Sequence, residues 1–286
     1  MEKVRKIYMK ENELPERQPD EDPFGLKNLD FSKRKPEKSE LFTAAEIQTY
    51  IDQCDYPETA DDLLLAWEIQ RLFGAEKITD MITLDAMCGP GRLGREFLAL
   101  GATRVAFHDG SEQMLSHAKN EATKILLPEQ VIGTFASGVD EIPVKDDIFD
   151  LIVCHNSTHQ LSDEEKLKKT LEELLRITKP GGHIVIADFQ RDNTPAFKEA
   201  LTQRLKVTRE GVRDLLRDSF FAAFSKDEFE NAIRSIPGVK NLDVIDAPTP
   251  ILTPEQRIRV DQDFIKGHEM DFSPISQRVI IQKKDI

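Results

Sequence analysis

Cysteine is scarce in this chain, and its few copies stand in no useful order. Cys54, Cys88 and Cys154 are the whole complement. An odd number at wide spacing excludes a disulfide framework and a thiolate zinc site, so no metal is expected. Long apolar runs are missing as well. No segment is long and apolar enough to span a bilayer, so no membrane partner is expected. The first residues, Met1 to Lys6, lack the apolar core of a signal peptide, and the expectation is a cytoplasmic protein. Positive charge is in deficit: 39 Lys and Arg stand against 52 Asp and Glu, for a net charge of −13. Such a field repels phosphate backbones and anionic membranes, which disfavours nucleic acid as a partner.

What is present is core material. Hydrophobic residues make up 39% of 286 positions, enough for one α/β domain with extensions. The organising stretch is Met81 to Gly94, an apolar run ending in Asp85, then Cys88-Gly89-Pro90-Gly91-Arg92-Leu93-Gly94. It reads as strand, glycine-rich turn and helix, the helix running from Arg92 to Ala99. Glycines there let backbone approach a ligand closely, and the helix start offers unpaired N–H groups. The spacing satisfies G-x-G-x-x-G, so a nicotinamide or flavin nucleotide is one reading. Asp85 argues against it. An acid at the strand end repels a diphosphate and attracts a cofactor carrying an ammonium and a sulfonium.

Further strands follow in α/β rhythm: Arg104 to Asp109, Val131 to Ala136, Phe149 to Cys154 and His183 to Phe189, with the last two at Asn241 to Asp246 and Gln277 to Gln282. Asp109 closes the second strand some 20 residues past the loop, where a carboxylate meets a ribose diol. The fourth strand ends in the polar cluster His155, Asn156, Ser157, Thr158 and His159, a composition suited to a reaction mouth. Between strands, Thr43 with Glu46, Ser162 with Glu165, and Ser225 with Glu228 have the spacing of helix capping boxes. Residues Asn193 to Phe224 read as helical. The turn Lys179-Pro180-Gly181-Gly182 precedes the fifth strand.

The first 40 residues are charge-dense and interrupted by Pro15, Pro19, Pro23 and Pro36. They read as an irregular N-terminal arm that Phe24, Leu26, Leu29 and Phe31 can dock onto the body. Residues 41–286 form the main domain. Its parts are N-terminal helices over 41–80 and two additions, 190–235 and 247–276, placed at a substrate rim; a short helix is expected from Pro254 to Lys266.

Asp85-Ala86-Met87-Cys88-Gly89-Pro90-Gly91 resembles motif I of the class I S-adenosylmethionine-dependent methyltransferases, D-x-G-x-G-x-G, with Met87 in place of the first glycine. Gly110-Ser111-Glu112-Gln113-Met114-Leu115 and Phe149 to Leu161 resemble later segments of that family. The resemblance implies a Rossmann-like, doubly wound sheet of seven strands, mostly parallel, with an antiparallel last strand and added N-terminal helices. It implies S-adenosyl-L-methionine as cofactor. Asp85 and the backbone of Cys88, Gly89 and Gly91 would hold its amino-acid end, with Asp109 on the ribose. Gly110, Met114, Ser137 and Gly138 would lie about the adenine, and the backbone of Cys154 or His155 would face the ammonium. His155 and His159 are the candidate general bases, since an imidazole titrates near neutrality, with Asp188 behind them. Cys88 and Cys154 read as apolar filler. The acceptor expected is a small molecule. A protein acceptor, a non-catalytic cofactor-binding partner subunit and a nicotinamide oxidoreductase remain as other readings, and homo-oligomerisation is left open.

Overall fold

The structure is a computed structural model; it describes residues 22–37, 43–54, 60–125, 128–206, 208, 210, 213–250 and 272–285. Fourth-strand residues Leu151, Ile152, Val153 and Cys154 are all fully buried, and such a continuous apolar run belongs inside a sheet covered on both faces. That strand, β4 (Phe149–His155), lies between β1 (Ile82–Ala86) and β5 (Thr178–Phe189). β2 (Arg104–Asp109) and β3 (Val131–Ala136) extend the sheet on one side, β7 (Phe272–Lys283) and β6 (Val239–Pro250) on the other. The order is β3-β2-β1-β4-β5-β7-β6. β1 to β5 run parallel, and β7 is antiparallel to both β5 and β6. This is the doubly wound seven-stranded sheet that the strand rhythm predicts.

Alternate side chains go to opposite faces of the sheet. Ile152, Ile184 and Ile186 join one core with Leu167, Leu171 and Leu174 of α6 (Glu164–Ile177) and Phe229 and Ile233 of α9 (Lys226–Arg234). Leu151, Val153 and Val185 join the other, with Leu65 and Ile69 of α2 (Ala60–Phe73), Phe97 of α4 (Arg92–Ala99) and Ala118 of α5 (Glu112–Ile125). Two helices flank α2 in sequence, α1 (Ala44–Cys54) and α3 (Ala75–Asp80). The chain order reverses between β1 and β4, so a crevice opens at their carboxyl ends, where open α/β sheets take their ligands.

Several local expectations change. The Lys179 to Gly182 turn is a bulge within β5: pairing passes from Phe149–Thr178 to Leu151–His183, and Gly181 takes φ 75°. The helical stretch from Asn193 divides into α7 (Pro195–Lys206) and α8 (Arg213–Ala222). α6 is capped by Asp163, which accepts the Lys166 N–H at 2.8 Å; Ser162 donates to Asp163 instead of capping. At α9 the Ser225–Glu228 box forms as its spacing predicts. The Glu46 side chain and the helix expected at Pro254 to Lys266 lie outside the described residues.

Part of the N-terminal arm is docked. Leu26 and Phe31 are fully buried in a third core with Phe197 and Leu201 of α7 and Phe220 and Phe221 of α8. Phe31 stacks on Phe221 with ring centroids 4.0 Å apart. Arg34 follows, donating to the carbonyls of Ala222, His159, Leu161 and Ser162 and lying 3.9 Å over the Phe224 ring. Phe220 and Phe221 thus serve packing under the arm. Truncating a buried phenylalanine costs about 3–5 kcal/mol. Phe31→Ala is expected to destabilise the chain by that order in urea unfolding; a loss under 1 kcal/mol would mean that the arm is not part of the core.

Candidate functional site

The loop between β1 and α4 is held by close contacts at Gly91 and Gly94. Asp85, 2% exposed, accepts the Gly94 N–H at 2.8 Å and so ties the strand end to the helix. There is no room at Gly94 for more: a Cβ would stand 2.3 Å from the Phe107 ring. Gly91 takes φ 75° and a Cβ there would stand 2.4 Å from that of Ala118. At Gly89, φ 52°, the same Cβ would meet nothing within 4 Å, so the loop has its open side there. Met87 adopts φ 55°, the left-handed conformation that favours glycine and costs other residues about 1–2 kcal/mol. Met87, which stands in place of motif I's first glycine, therefore adopts a backbone shape that a glycine takes without steric cost.

The loop amides differ from expectation. The N–H of Cys88 donates to the His108 carbonyl at 2.9 Å, that of Gly89 to Asp109 at 2.8 Å and that of Gly91 to the Cys88 carbonyl at 2.9 Å. All three are spent inside the protein, which leaves carbonyls and carboxylates as the groups to meet a ligand. Asp109 also accepts from Ser111 at 2.9 Å, which fixes the turn into α5. Gly110, Ser137 and Gly138 gather beside it at the ends of β2 and β3, where the Ser137 N–H reaches the Asp109 carbonyl at 3.4 Å. Met114 is buried and bonded through its N–H to the Ser111 hydroxyl. His108, unremarked in the sequence, accepts from the Met87 N–H through Nδ1 and faces the Ser137 carbonyl through Nε2. Burial holds its imidazole below the usual range, so it is a neutral brace. One polar residue inside an otherwise apolar β2 was its only signal. The thiols of Cys88 and Cys154 are both pushed up by burial, in keeping with filler.

Three carboxylates crowd this edge. Burial first, then the charges of Asp62 and Asp109, push the Asp85 carboxyl up to about 8. Asp62, on α2, is held below the usual carboxylate range: burial opposes its charge, but Arg92 and His155 outweigh that. Its Oδ2 lies 3.0 Å from the Arg92 guanidinium and its Oδ1 2.6 Å from His155 Nδ1. Asp62 thus joins α2, α4 and β4 around the crevice; as an acid opening a helix it gave no sign of this in the sequence.

The two candidate histidines part company. His155 lines a cavity together with Asn156, Phe189, Arg204, Ile275 and Arg278. His159 is 4% exposed and paired through Nδ1 with Asp188 at 2.8 Å; its Nε2 stands 3.8 Å from Glu37 of the arm. Burial opposes its charge, but Asp188 and then Glu37 outweigh it and hold the imidazole above its usual range. Asp188 also accepts from Thr158 and from the His159 and Phe189 amides, which with His159 keep it below the usual carboxylate range despite burial. His159 and Asp188 therefore form a buried ion pair, whereas His155 borders the cavity.

Comparison with known proteins bears on the family and the fold. Residues 83–182 match the model of a family described as a methyltransferase domain. The chain is 26% identical over 151 residues to the 27-O-demethylrifamycin SV methyltransferase of Amycolatopsis mediterranei, covering 53% of this chain and 51% of that protein. It is 28% identical over 183 residues to the demethylmenaquinone methyltransferase of Clavibacter sepedonicus, covering 64% and 70%. Several matches of this kind span about half the length of the curated relative. A crystal structure of a SAM-dependent methyltransferase from Aquifex aeolicus shares the fold, with a TM-score of 0.52 at 18% identity over 82% of this chain and 97% of that one. Among the described residues no helix is long and apolar enough to cross a membrane.

The Asp85 carboxyl makes stability depend on pH with a definite sign. The folded chain keeps this proton to about pH 8, whereas the unfolded chain loses it near pH 3.9. Between those values the folded state binds more protons, so stability falls as pH rises. Asp85→Asn keeps an acceptor for Gly94 and removes the titration. Relative to the parent, the variant is expected to gain stability from pH 5 to 8 by up to about 1.4 kcal/mol per pH unit. Parallel pH profiles of the two proteins in urea unfolding would refute this.

Proposed function

We propose that this chain, whose residues 83–182 match a family described as a methyltransferase domain, methylates a small-molecule acceptor from S-adenosylmethionine with His155 as general base. The observation that carries the reading is one juxtaposition. At the switch point of the sheet, a loop ringed by Asp62, Asp85 and Asp109 stands beside a histidine whose ring lines a cavity. This acid-lined edge, with its loop amides already engaged, presents oxygens where a diphosphate would need donors, and so better fits a cofactor bearing an ammonium and a sulfonium. Asp85, the carbonyls about Cys88, Gly89 and Gly91, and the backbone at His155 would hold the amino-acid end. Asp109 would take the ribose, and Gly110, Met114, Ser137 and Gly138 the adenine. When bound, S-adenosylmethionine supplies a methyl group already activated on its sulfonium. The two relatives described above are named for a rifamycin and for a demethylmenaquinone, which favours a small-molecule acceptor.

The chain then has two tasks. Alignment of donor and acceptor can supply about 7–11 kcal/mol in well-oriented systems. Where the acceptor must lose a proton, a positioned base adds ~10²–10⁴-fold. Donation from Nδ1–H to the ionised Asp62 leaves the lone pair of His155 on Nε2, where it accepts the acceptor's proton. Asp62 fixes that tautomer and favours the imidazolium that forms, while Arg92 keeps Asp62 ionised.

Two measurements test this. Calorimetric titration should show S-adenosylmethionine and S-adenosylhomocysteine binding, NADH not binding, and Asp109→Asn weakening both by tenfold or more. Binding of NADH alone would sink the reading. With an acceptor in hand, His155→Gln should lower kcat by about 100-fold or more, with cofactor affinity within threefold of the parent. Asp62→Asn should lower kcat and shift the pH profile; an unchanged kcat in both variants would remove His155 as base.

A further inference from the structure

The cavity that His155 lines contains cations, which is unexpected in a chain of net charge −13. Arg204 of α7 and Arg278 of β7 both border it, 8% and 9% exposed. Each has an internal carboxylate partner. Arg204 Nη2 lies 2.8 Å from Asp61, and Arg278 Nε lies 3.2 Å from Glu68, both acids being on α2. The pairing at Arg204 is incomplete. Its Nη1 is buried and has no hydrogen-bond partner among the described residues. A buried donor left unpaired costs about 1–3 kcal/mol, more when charged, so a group so placed at a cavity wall calls for an oxygen acceptor. A guanidinium presents its donors in a fixed plane that matches carboxylate and phosphate, and with Asp61 and Glu68 already beside the two arginines the singly charged carboxylate is the better fit. Leu64, Phe189 and Ile275 give the same cavity apolar lining, and Asp61 borders it too.

We propose that the methyl acceptor carries a carboxylate, and that Arg204, supported by Arg278, binds it while His155 faces the group to be methylated. The proposal rests on the methyltransferase reading and adds the acceptor's chemical class. The two arginines are specificity residues: they hold the far end of the acceptor and leave the proton to His155. A neutral acceptor of the same shape would leave Nη1 buried and unpaired, and sites built to hydrogen-bond a ligand group discriminate strongly against analogues that lack it. Asp61 tunes the site by balancing the charge of Arg204 through Nη2 while Nη1 stays unpartnered among the described residues.

The test uses the full chain, with and without saturating S-adenosylhomocysteine. Benzoate and hexanoate are titrated by calorimetry against benzamide and hexanamide, which keep shape and lose charge. The expected result is at least tenfold tighter binding of one or both acids than of the matching amide. Arg204→Gln should reduce that ratio to below threefold, and Arg278→Gln should reduce it in part. Equal affinity of acid and amide for the parent overturns the proposal without use of any variant. So does an acid preference that survives Arg204→Gln. Binding of S-adenosylhomocysteine is read separately: its failure sinks the methyltransferase reading, whereas its success beside equal acid and amide binding sinks only the carboxylate.

Discussion

One carboxylate holds the candidate site in register. Asp62 comes from a helix before the first strand, yet its two oxygens are taken by Arg92, at the start of the helix after the glycine loop, and by His155, at the tip of the fourth strand. The charge is buried, and a buried charge persists only where its partners outweigh the loss of water. Both partners are themselves fixed by backbone: Arg92 opens α4, and His155 ends a strand paired along its length with β5. The position of α2 over the crevice is therefore set by a polar clasp as well as by the apolar contacts of Leu65 and Ile69. Removing Arg92 would leave the carboxylate with the imidazole of His155 as its remaining partner of the two.

The electrostatics around that clasp divide the crevice in two. Toward the glycine loop, Asp85 and Asp109 add to Asp62, and Asp85 responds by keeping its proton. Toward the cavity, Arg204 and Arg278 bring positive charge, each balanced by an acid of α2. Asp61 and Asp62, adjacent in sequence, thus serve opposite sides of the boundary. On the proposed reading, an acid-lined compartment would take the cationic cofactor and an arginine-lined one the acceptor, and the difference would keep two ligands from exchanging places. His155 stands where the compartments meet.

Much of the sheet could be read from the chain because three of its strands have apolar centres and carry an acid at the last or next-to-last position: Asp85, Asp109 and Asp188. The cofactor loop was equally legible, since glycine spacing is a backbone property written directly into sequence. What stayed hidden was partnership across distance. Nothing local distinguishes His155 from His159; one lines a cavity and the other is sealed against Asp188 by strand register and by the arm. The loop amides were assigned to a ligand because a motif does not reveal that His108 and Asp109 of the neighbouring strand reach them first. Asp62 and Arg204 looked like ordinary helix-surface charges, and only packing turned them inward. The Lys179 to Gly182 segment has turn chemistry, but pairing on both sides absorbs it as a bulge.

The docked arm bears on how the chain is made. Arg34 reaches the carbonyl of Ala222 across 188 residues, and Phe31 is buried against the same helix. A ribosome delivers the arm before its dock, which lies 188 residues further on, and domains begin to fold as they emerge. During that interval Leu26 and Phe31 have no surface to bury against, so the arm is made before its dock and is among the last segments to find its place. Glu37, whose carboxylate meets both His159 and Ser219 of that helix, completes its contacts only then. Closure of the wall behind the strand tip is thus tied to the arrival of the C-terminal half, and a nascent chain that stops short of α8 carries the glycine loop without a finished site.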